Sequence, residues 1–243
     1  MALSAEELRQ RLALVKERIN QSAEKAGGLA GAVKLVAVSK TKSAEMIKSA
    51  LELGQRDFGE NYAQELRDKA AEIPDPQIRW HFIGSLQRNK VKYLVGKVAM
   101  IHSIDSASLI EEIEKRAAAQ NISVPILLEV KLSEEQTKTG IDPAGLISLA
   151  EKAFASPGQG GVELKGLMTM PPYFPDPEQS RPYYVRLRKI RDDLEKKLGV
   201  KLPELSMGMS NDFEVAIQEG ATIVRVGAAI FGEREQWKSS EAQ

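Results

Sequence analysis

The 243-residue chain contains no cysteine. That excludes disulfides, a thiolate nucleophile and any cysteine-based metal site, and it fits a reducing compartment. Net charge is also missing: 34 Lys and Arg balance 34 Asp and Glu, with no polycationic run. Bulk electrostatics therefore offer nothing to nucleic acid or to an anionic membrane surface. No apolar stretch approaches the roughly 20 residues needed to cross a bilayer. The first 20 residues carry Glu, Arg and Lys among their apolar positions, unlike the hydrophobic region of a signal peptide. The expectation is a soluble, cytoplasmic protein. Only two histidines occur, His81 and His102. On separate segments and without an evident carboxylate spacing, they make a poor metal site, and none is expected.

What is present is alternation. Ser4 followed by Glu6 and Glu7 reads as a helix start, and Leu8, Leu12, Val15 and Ile19 mark one face of that helix. Short apolar runs then recur at residues 33–39, 57–61, 80–84, 100–104, 124–130, 164–168, 204–207 and 223–226. Amphipathic stretches lie between them at 44–53, 63–72, 106–120, 143–155, 177–198 and 212–219. Residues 87–96 are too short a span to assign. Eight strands, each followed by a crossover, predict an α/β protein, a single (β/α)8 TIM barrel with an extra N-terminal helix. A doubly wound open sheet would alternate similarly, but no Gly-rich dinucleotide fingerprint follows the first strand. Residues 1–232 read as one domain and 233–243 as a polar tail.

In such a barrel the reactive groups gather where strands end. Val36, Val38 and Lys40 share one parity, so the first strand points them the same way and finishes an inward row on an amine. An ammonium there is costly unless paired or neutralised, and desolvation favours the neutral nucleophile that forms Schiff bases. The plain alternative is a lysine reaching solvent from a strand end. Asn61 follows the second strand and His81 lies on the third. After the seventh and eighth strands, Gly208 and Gly227 would admit backbone N–H groups to a phosphate, with the Ser210 hydroxyl beside them. Taken singly, these glycines could serve packing and Ser210 a helix cap. His102 reads as structural, Met168, Met170, Met207 and Met209 as core or pocket filling, and Lys42 as solvated surface.

Five stretches in order, 36–42 (VAVSKTK), 58–64 (FGENYAQ), 80–90 (WHFIGSLQRNK), 206–212 (SMGMSND) and 224–232 (VRVGAAIFG), resemble the pyridoxal phosphate homeostasis protein family. The likeness runs from about Ser4 to Glu233. The barrel of that family is similar to the N-terminal domain of alanine racemase, a fold-type III barrel. The resemblance implies that Lys40 holds pyridoxal 5'-phosphate (PLP) as an internal aldimine. It implies phosphate contacts from Ser210 and the Gly227-Ala228 backbone, with Arg225 near the pyridine nitrogen. Asn61, Tyr62, His81 and Met207 are then pocket neighbours, and Lys138 could approach the cofactor phenolate. Ala228 stands where the family pattern suggests Thr, so one hydroxyl contact to phosphate is missing.

Two functional classes compete under that resemblance. One is a carrier that holds PLP and supplies or buffers it, meeting apo PLP-dependent enzymes and free amino acids as a monomer or weak dimer. The other is a PLP-dependent amino-acid racemase or decarboxylase. Racemases with this barrel add a C-terminal β-domain that supplies a catalytic tyrosine, and the 11 residues after Gly232 are too few for one. The expectation is therefore a carrier. A barrel enzyme acting on another phosphorylated metabolite is a third, weaker reading.

Overall fold

Eight parallel strands close on themselves in chain order in the computed structural model, which describes residues 3–133, 139–155 and 160–232. The strands are β1 (Lys34–Val38), β2 (Asp57–Glu60), β3 (Arg79–Phe82), β4 (Val98–Ile104), β5 (Val124–Glu129), β6 (Val162–Met168), β7 (Glu204–Ser206) and β8 (Ile223–Val226). The helices are α1 (Ala5–Lys25), α2 (Ala44–Glu52), α3 (Ala63–Glu72), α4 (Ala107–Ala118), α5 (Pro143–Phe154), α6 (Arg181–Leu198), α7 (Phe213–Gln218) and α8 (Ala228–Phe231). Closure is made by β1 against β8, in register from Lys34 opposite Ile223 to Ala37 opposite Val226.

Parity sorts the strand residues into two cores. Val36, Met100, Leu127, Met168 and Ile223 meet inside the barrel. Their neighbours Leu35, Ala37, Ile101, Leu128, Leu167 and Val224 point outward and pack beneath the helices. Both faces are covered, as a parallel sheet requires. The extra helix α1 begins at a capping box, in which Ser4 Oγ accepts from Glu7 N–H at 3.2 Å and the Ser4 N–H returns a bond to the Glu7 carboxylate at 2.9 Å. Its buried stripe of Leu8, Leu12, Val15 and Ile19 packs on α7 and α8, and Arg18 grips Glu214 at 3.0 and 2.7 Å.

The strand and helix spans match the alternation of the sequence closely. Three segments differ. Residues 88–93 form a 3-10 turn, and residues 177–198 divide into a 3-10 turn over Pro177–Ser180 followed by α6. Pro182 in the first turn of α6 suits a fresh helix start, because a proline there sacrifices no intrahelical bond. The third is α8, one turn that the sequence pattern did not mark. No helix among the described residues is long and apolar enough to cross a membrane. The expected tail, 233–243, and Lys138 lie outside the described residues.

Candidate functional site at the barrel mouth

The inward row of β1 continues past the strand. Val36 is inside the barrel, and Val38 and Lys40 line a cavity of about 210 Å³ at the C-terminal mouth. The same cavity gathers Asn61, Ser210, Arg225, Gly227 and Ala228 from other strand ends. Gly59 clears its floor: a Cβ there would lie 2.9 Å from Val36 Cγ1 and 3.0 Å from Ile83 Cδ1. A larger hollow of about 480 Å³ lies at the opposite mouth, among Lys34, Asp57 and Arg79. Size does not decide between the two. Barrel chemistry sits where strands end, and only the smaller cavity combines an amine at the end of an inward row with a cradle of backbone donors.

Three of the expected pocket residues do not line this cavity, and strand register explains two of them. His81 points inward but lies one layer below the pocket, where it is 2% exposed; Ile83, two residues on, takes the wall position. Met207 has the opposite parity to the inward Ser206 and is packed into the outer core, fully buried. Tyr62 is exposed and also stands outside the cavity. Lys42, expected on solvated surface, instead lines the cavity and donates from Nζ to the Phe231 carbonyl at 3.1 Å. Ile83, Met170 and Met209 complete the apolar wall; period-two counting along β3 would have found Ile83.

The loop that carries Lys40 is tied down on both sides. Ser39 Oγ donates to Glu60 Oε1 at 2.7 Å, and Lys69 Nζ donates to the Ser39 carbonyl at 2.7 Å and to Glu60 at 2.9 Å. Lys69 also reaches Glu65 at 2.7 Å, and Glu65 accepts the Thr41 N–H at 2.6 Å. Thr41 has φ +64°, a left-handed conformation that costs a β-branched residue energy and persists only where its surroundings hold it. The carboxylate of Glu65 does so here. Burial raises the Glu60 pKa, opposed by the Lys69 charge and its hydrogen bonds.

Across the cavity, Ser210 Oγ accepts the N–H groups of Gly227 at 3.2 Å and Ala229 at 3.4 Å. Backbone donors thus converge on one hydroxyl at the cavity wall, an arrangement suited to an anion. A Cβ at Gly227 would come within 3.2 Å of Val38 Cβ and 3.3 Å of its carbonyl oxygen, so the wall has no room for a side chain there. Arg225 is 3% exposed. It donates to Ser206 Oγ at 2.7 Å and to the Thr169 carbonyl at 3.0 Å. Desolvation lowers its pKa, with the charges of Tyr184, Glu129 and Asp212 acting the other way. No cluster of metal-ligating side chains occurs among the described residues.

The family model of the alanine racemase N-terminal domain matches residues 11–235, nearly the whole of this closed parallel barrel. A Pyridoxal phosphate homeostasis protein from Aquifex aeolicus is 48% identical over 226 residues, covering 93% of this chain and 98% of that one. PipY of Synechococcus elongatus, whose structure was solved with PLP bound, is 35% identical with a TM-score of 0.81, over 93% of this chain and all of that one. The alanine racemase of Corynebacterium glutamicum shares the fold at 17% identity and TM-score 0.65, with 98% of this chain matching 63% of the enzyme. The chain belongs to the pyridoxal phosphate homeostasis protein family.

Proposed function

We propose that this chain binds PLP at the C-terminal mouth of its barrel and stores or supplies it without turning over a substrate. The observation that carries the reading is the convergence, on one small cavity, of Lys40, the Ser210–Gly227 cradle and the buried cation of Arg225. These groups fit the cofactor: an amine for its aldehyde, N–H donors for its phosphate, and a cation for its ring. PLP itself supplies an aldehyde that an amine captures reversibly and a ring that withdraws electrons when its nitrogen is protonated. Lys40 would hold the aldehyde carbon. Arg225 beside the ring nitrogen would disfavour its protonation by like-charge repulsion, and so weaken the electron sink that racemases and decarboxylases need. The names of the relatives support the same reading, since they denote homeostasis rather than a reaction. On this view the protein works in the cytoplasm as a monomer or weak dimer, exchanging cofactor with apo PLP-dependent enzymes and open to free amino acids.

The phosphate assignment has a direct test. Ser210→Ala should weaken PLP binding by about 1–2 kcal/mol, the loss of one hydrogen bond to a charged group. Gly227→Val should weaken it further, because its side chain meets Val38. Equilibrium titration of both variants checks this, and wild-type affinity in both would remove the cradle from the site. The carrier reading is tested by incubating the PLP-loaded protein with a panel of amino acids while following enantiomeric composition and carbon dioxide release. The expected outcome is PLP transfer to an apo-enzyme and no sustained, Lys40-dependent turnover; many equivalents converted would establish an enzyme instead.

A further inference from the structure

Below the cavity, buried polar side chains on five strands form one continuous hydrogen-bonded line through the barrel. It starts at the N-terminal mouth, where Arg79 Nε grips Asp57 Oδ1 at 2.8 Å. Asp57 Oδ1 meets His81 Nε2 at 2.9 Å, His81 Nδ1 meets His102 Nε2 at 2.9 Å, and His102 Nδ1 meets Ser206 Oγ at 2.9 Å. Ser206 Oγ then receives Arg225 at 2.7 Å. His81, His102, Ser206 and Arg225 are each no more than 3% exposed. The proposed use of the pocket accounts for Arg225 alone. Four more buried polar residues need a reason, because each displaces apolar packing from the barrel interior.

We propose that Asp57, His81, His102 and Ser206 are positioning residues that hold the Arg225 guanidinium in place and charged. The direction of every bond in the line follows from its acidic end. An ionised Asp57 can only accept, so His81 carries its proton on Nε2 and leaves Nδ1 bare. His102 must then donate from Nε2, which leaves its own Nδ1 to accept the Ser206 hydroxyl proton. Ser206 Oγ is thereby left facing Arg225 with its lone pairs. Each bond dipole in the line has its negative end toward Arg225, which suits a cation that hydrogen-bonds, among the described residues, to a hydroxyl and a backbone carbonyl rather than to a carboxylate. Reversing the line would turn a bare nitrogen toward the Asp57 carboxylate.

The surrounding charges are consistent with this polarity. Arg79 and the His81 contact keep Asp57 ionised by lowering its pKa, against the opposing effect of burial. Desolvation is the largest influence on both histidines and lowers their pKa values, assisted at His81 by Lys34 and Arg79, and at His102 by His81, Arg225 and Lys34. Asp57 alone pulls His81 the other way. Two neutral imidazoles are what a line of single donors and single acceptors needs; an imidazolium would present two donors and break it.

One arm of the test needs no cofactor. In the full-length 15N-labelled protein, long-range nitrogen–proton correlation should show both histidines neutral at pH 7 and protonated on Nε2. An Nδ1–H tautomer or an imidazolium at either residue would overturn the inference. The second arm rests on the assignment of Arg225 to the PLP ring. His102→Gln keeps the polarity, since an amide oxygen can accept from Ser206 while its nitrogen donates to His81. His102→Leu cuts the line, and Ser206→Ala cuts it with the loss of one hydroxyl only. The two cutting variants should lower PLP affinity severalfold and shift the pH midpoint of the bound-cofactor absorption band by about half a unit or more, with His102→Gln nearer wild type. Should His102→Leu not fold, Ser206→Ala carries this arm. Wild-type affinity and midpoint in the cutting variants would refute the positioning role while leaving the carrier reading intact. A wild-type protein that binds no PLP would refute the carrier reading, with the tautomers still deciding the line itself.

Discussion

Lys40→Ala is expected to abolish covalent capture of PLP entirely. Borohydride reduction of the loaded wild-type protein, followed by peptide mapping, should place the pyridoxyl group on Lys40. The alanine variant should take up no such label and lose the absorption band of the lysine-bound cofactor. Two other lysines compete for the assignment. Lys42 lines the same cavity, but its amine donates to the Phe231 carbonyl and follows a left-handed Thr41 that turns the chain away from the inward row. Lys138 is the other, from the segment following β5. Label found wholly on either one, with Lys40 unmodified, would move the attachment point. Some cofactor should persist non-covalently in Lys40→Ala, because the donors converging on Ser210 are untouched. Gel filtration of that variant with PLP separates the two contributions.

The second large effect concerns stability. Lys69→Met should cost about 3–5 kcal/mol, the usual result of removing one partner from a buried ion pair. The Glu60 side chain is fully buried and that of Lys69 only 9% exposed, so the carboxylate left behind has little access to water. Lys69 also releases Ser39 and Glu65, the two anchors of the Lys40 loop, so PLP binding should weaken together with folding. Glu60→Leu with Lys69→Met should recover most of the loss, because no stranded charge remains. The pH dependence has a definite sign. A carboxyl whose pKa is raised on folding binds its proton more tightly in the native state, so its share of stability falls as pH rises above the ordinary value of 4.5. Without Lys69 that rise grows. The deficit of Lys69→Met should therefore be largest at neutral pH and shrink on acidification toward that value. Urea unfolding at several pH values checks both points, and a deficit under about 1 kcal/mol at pH 7 would show the pair to be dispensable.

Period-two and helical spacing were enough to place all eight strands and the long helices, because each buried face leaves a regular apolar mark. They also placed Val36, Val38 and Lys40 on one inward row. What spacing could not supply was depth. His81 and Ile83 share a row, and only the level at which β3 enters the barrel makes Ile83 the wall and His81 a lower layer. For Met207, parity relative to Ser206 was the available signal, since the two cannot face the same side of β7. Spacing carries no mark of Asp57 as a partner for the histidines, because the contact joins the start of one strand to the middle of the next. Lys42 departs from the expected solvated surface for a different reason. Its carbonyl partner, Phe231, belongs to α8, a single turn too short to leave a periodic mark.

Closure of β1 on β8 also sets when the pocket comes into being. Lys40, Asn61 and Ile83 lie early in the chain, whereas Ser210, Arg225 and Gly227 lie near its far end. Contacts of such long sequence separation form late and slowly, since loop closure must precede them. A growing or partly folded chain therefore has the amine without the proposed phosphate cradle, and no complete cavity. A ligand that binds only the closed barrel shifts the folding equilibrium by mass action, by about 2.7 kcal/mol when free ligand stands at a hundred times its dissociation constant. The small unfolded fraction then falls as free PLP rises, about a hundredfold at that ratio. Exposure of the open chain to proteolysis follows that fraction, so cofactor scarcity and abundance are written into how often the barrel comes apart.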